Sequence, residues 1–185
     1  MAGPVRYDLS RLVREPLFVY PVLMAACVLA FWPTFSNGIL DSYDDMWQLR
    51  NHYTEGGLSW DNLKAIFTHA YATQYSPIDQ LMYTLLYYID GYNGTVYHTA
   101  SLALHAANAA LVYALLRDMQ ADLEPASGHD ACAVSLLAAL VFAVHPVQVE
   151  SVAWISASKV VLSSTFYLLA TKSFIGALKQ GSSRH

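Results

Sequence analysis

The residues most able to do chemistry begin with an acid pair. Asp44 and Asp45, within Ser42-Tyr43-Asp44-Asp45, follow directly on an uncharged run from Pro16 to Leu40. Two carboxylates at the exit of an apolar segment read in two ways. They can serve a reaction at a membrane surface. Alternatively, with Ser42 as N-cap and Asp45 three positions on, they belong to a capping box, and acids in a first turn favour the positive end of a helix dipole. A second group lies further along: His98, Ser101, His105 and Asn108 recur at offsets of three, seven and ten, which puts all four on one helix face. Inside an apolar helix such a stripe turns toward a bundle interior or a water-filled cavity, either to line a site or to hydrogen-bond a neighbouring helix. Metal ligation by His98 and His105 is disfavoured, because they stand two turns apart where helical His pairs stand one turn apart. A third group follows: His145-Pro146, Glu150 and Lys159. Of its two ionisable flanks, Glu150 reads as lining a site and Lys159 as neither a site nor an interface residue.

The elements that must position these residues are apolar helices. Of 185 residues, 55% are hydrophobic and only 13% charged, about half the charged share of a soluble domain. The composition is that of an integral membrane protein. The formal charge of −4 is small, and no Lys/Arg cluster offers the footprint that nucleic acid needs, so nucleic acid is excluded as a partner. Cys27 and Cys132 both sit in apolar runs, which argues against a disulfide framework. The expected fold is all-α: a multi-span transmembrane helix bundle with an outer loop of short interfacial helices. Spans are expected near residues 16–36, 77–90, 95–116, 131–146 and 152–176, forming a single module over residues 1–178.

The first span exceeds the roughly 20 apolar residues that cross a bilayer. Pro21, Pro33 and Trp32, and the lack of a small-residue cleavage motif, argue against a secretory signal. Arg6, Arg11 and Arg14 precede the span and Asp41, Asp44 and Asp45 follow it, so the N-terminus is expected in the cytoplasm and the acid pair outside. The outer loop, residues 37–76, is expected to hold a helix from Ser42 to about Tyr53. After Gly56-Gly57, a second helix capped by Ser59 carries Trp60, Leu63, Ile66 and Phe67 on one face, as a helix in the membrane interface would. Ser76-Pro77 reads as N-cap and first residue of the short second span. Arg117 to Asp130, with Asp118, Asp122 and Glu124, reads as an acidic loop, and residues 179–185 as a disordered tail. Counting spans sends that Lys/Arg-bearing tail outside, against the charge bias, so one late segment is a candidate re-entrant loop.

The pattern resembles the GT-C glycosyltransferases, and within them the O-mannosyltransferase-like membrane proteins that carry tetratricopeptide repeats. The residues that carry the resemblance are Tyr43-Asp44-Asp45, Leu58-Ser59-Trp60, Phe67-Thr68, Ser76-Pro77, Tyr97-His98 with His105 and Asn108-Ala109, and above all the run Phe142-Ala143-Val144-His145-Pro146-Val147-Gln148-Val149-Glu150-Ser151-Val152-Ala153-Trp154-Ile155. Where relatives have Arg-Lys-Asp after the tryptophan, this chain has Ala157-Ser158-Lys159-Val160.

The resemblance implies an enzyme that moves a sugar from a polyprenyl-phosphate carrier to a protein or lipid hydroxyl on the outer or lumenal face of a bacterial inner or ER membrane. Asp44 or Asp45 would be the general base, because an acceptor hydroxyl is a poor nucleophile until a carboxylate in hydrogen-bond reach takes its proton. His98, His105, Asn108, His145, Glu150 and Lys159 would bind substrate. No cofactor is fixed, and a divalent metal is left open. Partners would be the lipid-linked donor, the acceptor, membrane lipids and a subunit supplying further spans. The expectation is an N-terminal portion of such an enzyme. The alternatives are a non-catalytic membrane module that binds a partner or lipid and, on the buried His and Glu alone, a small transporter.

Overall fold

The computed structural model describes residues 14–123 and 128–182. Arg6 and Arg11, Glu124 and Pro125, the side chains of Asp122 and Asp130, and the last three residues of the expected tail lie outside the described residues. Among the described residues the protein is all-α, with no β-strand and a single isolated bridge between Tyr71 and Gln74. Helix α1 is Pro16–Phe31, prolonged by a 3-10 turn at Trp32–Ser36; α2 is Asp45–Gln48, α3 His52–Glu55, α4 Trp60–Thr68, α5 Pro77–Asp90, α6 Gly94–Leu123 and α7 Gly128–Val144. A 3-10 turn at Pro146–Gln148 leads to α8, Val149–Ala153; another at Ile155–Ala157 leads to α9, Ser158–Ser182.

Among the described residues, three segments are long and apolar enough to cross a membrane: Pro16–Ser36, Gly94–Gln120 and Ile155–Gln180. This is a membrane protein. Helix α7 and the Pro146–Ala153 segment, bent by 46° at their break, pass the same test as a pair. Proline explains the break, since Pro146 can neither donate to the preceding turn nor clear its carbonyl. Helix α5 has 14 residues and rises only about 21 Å, short of the roughly 30 Å hydrocarbon core. The segment expected to span at 77–90 is thus helical and shorter than that core is thick.

The chain forms two compact units: Met1–Ala30, His105–Gln148 and Ser164–His185 make one, Phe31–Leu104 and Val149–Ser163 the other. In the first, Val19 and Leu23 of α1 bury against Tyr113 of α6 and Leu136 and Ala139 of α7. Cys27 is buried and free. In the second, Leu49, Tyr83, Tyr97 and Ile155 form the core, with Ile39, Met82, Leu86 and Tyr92 around it.

Several local expectations are corrected. The helix expected from Ser42 to Tyr53 is two short helices. Ser42 does not cap the first; Asp44 occupies the N-cap position without a side-chain cap bond, because Tyr43 takes a left-handed φ of 64° and turns the chain there instead. Asn51 caps the second, accepting from the backbone N–H groups of Tyr53 and Thr54 at 2.9 and 3.0 Å. Ser76 makes no side-chain cap bond either, though Pro77 does open α5. Ser59 caps α4 as its sequence implies. There Ile66 is buried while Trp60 and Phe67 are exposed. The acidic loop is shorter than expected, with α6 running to Leu123, and Asp118 is paired with Lys172. Lys179 and Gln180, expected in a disordered tail, are the helical continuation of α9.

The outer loop is held by side-chain amides. Asn62 Nδ2 donates to the Tyr53 and Gly57 carbonyls at 2.8 and 2.7 Å, and a Cβ on Gly56 would stand 2.7 Å from Asn62 Cγ and 2.8 Å from the His52 carbonyl oxygen. Gly56→Ala should therefore cost about 1–3 kcal/mol, the range for a forced overpacking, read as a lowered thermal midpoint in detergent; an unchanged midpoint would show that the Asn62 clamp yields freely.

Candidate functional site

All of the site geometry belongs to the second unit. Asp45 is 1% exposed and its carboxylate is tied to two other stretches of chain, one just before it and one 111 residues on. Oδ1 accepts the backbone N–H of Ser156 at 3.1 Å and also the Ser156 hydroxyl, and Oδ2 accepts the backbone N–H of Leu40 at 3.1 Å. A carboxylate has about four lone-pair sites, so these three donors leave one, on Oδ2. Asp44 lies half-buried beside it and does something else: its Oδ1 accepts from the Trp47 indole at 3.1 Å.

Above Asp45 is a cavity of about 550 Å3 lined by Asn37, Gly38, His98, Glu150 and Trp154, among others. The His98 ring is buried, within electrostatic reach of Asp45 and beside the backbone of Asn37 and Gly38, yet neither ring nitrogen completes a hydrogen bond. The buried indole N–H of Trp154 also lacks a partner. Glu150 is exposed at this cavity. Buried polar atoms are normally satisfied; here the orphans gather where a ligand could meet them. The lining offers carboxylates, an imidazole, an indole and no ammonium or guanidinium, which suits hydroxyl groups better than an anion.

Gln48, Lys159 and Asp79 form a second polar group in the same unit. Lys159 Nζ donates to Gln48 Oε1 at 3.1 Å, so Lys159 anchors the short helix that Asp45 opens. Asp79, in the first turn of α5, is buried, and desolvation, partly offset by the Lys159 charge, pushes its carboxyl up from 3.8 to about 6.

The remaining candidates lie in the first unit. His105 is buried, its Nε2 at 2.9 Å from the Ala143 carbonyl and its ring stacked on Phe142. Asn108 is buried there too. His145 is exposed, and its Nδ1 accepts the Val147 N–H at 3.2 Å across the Pro146 turn. The structure therefore brings Asp45, His98 and Glu150 to one cavity, with Lys159 close by on Gln48, and places His105, Asn108 and His145 in the other unit, where His105 and His145 serve packing and turn formation. Sequence reasoning missed Ser156 and the Leu40 N–H, for neither carries a local signal: Ser156 is 111 residues from Asp45. Among the described residues no group of three or more His, Cys, Asp or Glu is placed to hold a metal ion.

With the geometry in hand, similarity to known proteins adds a direction. The chain is 34% identical over 110 residues to the human protein O-mannosyl-transferase TMTC4 and 31% identical over 111 residues to the mouse protein of that name. The match takes in 57% of this chain but only 14% and 15% of the two relatives, so it covers about a seventh of their length. No family model matches the chain, and no solved structure matches it significantly. The protein is a membrane module similar to part of an O-mannosyl-transferase.

Asp79 generates a pH dependence whose sign is fixed. A carboxyl raised from 3.8 to about 6 on folding gives up its proton less readily in the folded state. Its burial costs nothing below about pH 4, and the cost grows until it is complete above about pH 6, on the order of 3 kcal/mol. Stability should therefore fall across that window, and Asp79→Asn should flatten the fall. Thermal unfolding in detergent from pH 4 to 8 checks it; parallel curves for the two proteins would disprove the assignment.

Proposed function

We propose that this chain is the N-terminal membrane module of a GT-C-type glycosyltransferase that moves a sugar from a polyprenyl-phosphate carrier to a protein or lipid hydroxyl on the outer or lumenal face. The observation that carries the reading is Asp45 at the cavity just beyond the first membrane segment, together with His98 and Glu150, in a chain similar to an O-mannosyl-transferase. The cavity, at about 550 Å3, falls within the roughly 300–1,000 Å3 of small-molecule sites.

In this reading Asp45 is the base. Ser156 and Leu40 fix its carboxylate in one orientation, and the lone pair left on Oδ2 takes the acceptor proton as the new glycosidic bond forms and the carrier phosphate leaves. A single displacement inverts the sugar carbon. Asp44 is not the base, since it does not line this cavity and is turned onto Trp47. His98 and the Trp154 N–H supply the polar contacts that orient hydroxyls, and Glu150 holds the open side. His105, Asn108 and His145 are assigned no contact with substrate.

A second reading, a non-catalytic module that binds a partner or lipid, is supported by the three internal donors on Asp45, since a carboxylate so used can be purely structural. The two separate on one experiment: transfer from a polyprenyl-phosphate sugar by membranes carrying the protein. Asp45→Asn keeps the side chain's size but sets an amide NH2 against the Leu40 or Ser156 donors, so it should lower the thermal midpoint by the loss of one buried hydrogen bond. In protein that stays folded it should lower transfer by 10²-fold or more, at the scale general-base catalysis contributes, while Asp44→Asn should stay within a few-fold of the parent. Unchanged transfer in Asp45→Asn dismisses the base assignment, and collapse of the fold in that variant favours the structural reading.

A further inference from the structure

The second unit contains another opening, separate from the Asp45 cavity in all its lining residues. It is a cleft between the outer-loop helices and the start of α5, walled by Trp47, Tyr53, Tyr71 and Pro77, with Gln48 and Asp79 among its lining groups. Its room is about 30 Å3, enough for one or two water-sized groups and too little for a sugar ring.

Most polar side chains around it are already engaged. Gln80 accepts from Asn51 at 3.1 Å and donates to Thr54 at 2.9 Å. The Tyr83 hydroxyl lies 3.1 Å from both the Ile155 carbonyl and the Ser158 hydroxyl, and His69 Nδ1 lies 2.9 Å from the Thr68 hydroxyl. Two buried atoms are left over. Asp79, 6% exposed, meets the Tyr83 hydroxyl through its carboxylate but has Oδ1 without a partner, and Gln48, 5% exposed, has Nε2 without one. Lys159 explains the second, because it occupies the amide oxygen of Gln48 and leaves only the NH2 end unsatisfied.

These leftovers define a complement. Asp79 Oδ1 requires a donor and Gln48 Nε2 requires an acceptor. An ammonium would meet the opposing charge of Lys159, which already acts on Asp79, and has nothing to offer the amide NH2. An anion would meet Asp79. A hydroxyl both donates and accepts, is neutral, and fits the volume; its carbon stem would lie against the aromatic walls.

We infer that the Asp79–Gln48 cleft is a binding site for a single alcohol hydroxyl on a short aliphatic stem. The source can be a free small alcohol or the side chain of a hydroxyl amino acid. The site is independent of the proposed sugar transfer.

The test uses the whole protein in detergent, with binding read by saturation-transfer NMR. The probes are N-acetyl-threonine amide, its isostere N-acetyl-valine amide, and ethanol. The threonine probe should bind at least 10-fold more tightly than the valine probe, because losing the hydroxyl strands two buried polar atoms. Ethanol competing with the threonine probe supports a free-alcohol source; a threonine signal that ethanol leaves unmoved assigns the site to the amino-acid side chain. Gln48→Met and Asp79→Leu should each erase the threonine preference, whereas Asp45→Asn, which lies outside the cleft, should keep it even where sugar transfer is lost. Equal binding of the threonine and valine probes to the parent protein, or none by either at millimolar concentration, overturns the proposal and leaves a cleft for buried water only. Since that comparison uses the unaltered protein, it holds even where a variant fails to fold.

Discussion

The hydrogen bonds that Ser156 and Leu40 give to Asp45 are the constraint on which the second unit depends. Burying a carboxylate without partners costs several kcal/mol, and Asp45 is buried almost completely. Its three donors remove that penalty and in doing so pin the chain leaving the first membrane segment to the turn that precedes α9. Removing such a partner is costly because the charge stays behind unpaired. The fold and the candidate site thus draw on the same bonds, and Lys159 repeats the arrangement one turn further on by holding Gln48.

In an apolar protein, polar side chains become informative through what they fail to bond. His105 finds the Ala143 carbonyl and stacks on Phe142, which is the behaviour of a side chain that holds a bundle together. His98, two turns earlier on the same helix face, is buried to the same degree and has only the Asn37 and Gly38 backbone against its ring, without a completed hydrogen bond. Identical residue types on one stripe therefore do different jobs, and the local backbone decides which. The loop Asn37–Gly38 comes up beside His98, close enough that a Cβ on Gly94 would stand 3.0 Å from the Asn37 carbonyl, and this approach shapes the cavity wall.

The two openings of the second unit divide the chemistry by size. The larger, among Asp45, His98 and Glu150, has room for a ring-sized ligand, whereas the smaller, beside Asp79 and Gln48, has room for only one or two heavy atoms. Both are reached from the short helices between α1 and α5. That long connection is structured because its backbone groups are satisfied by Asn51 and Asn62 rather than by solvent, which lets a loop hold fixed geometry.

Much of the architecture was legible from composition and pattern. Uncharged runs of membrane length announce their helices whatever they pack against, since backbone groups in lipid must bond internally; the proline after His145 marks a break for steric reasons; and Ser59 caps its helix through contacts only three residues away. The sequence also singled out the acid pair and the His98 stripe. It could not say that Asp45 rather than Asp44 faces the cavity, because one residue of rotation around a left-handed Tyr43 separates a buried carboxylate from one spent on Trp47. Nor could it assign Ser156, or sort His98 from His105. Those outcomes rest on pairings between segments up to 111 residues apart, and no local propensity encodes a partner that only the folded chain brings within hydrogen-bond reach.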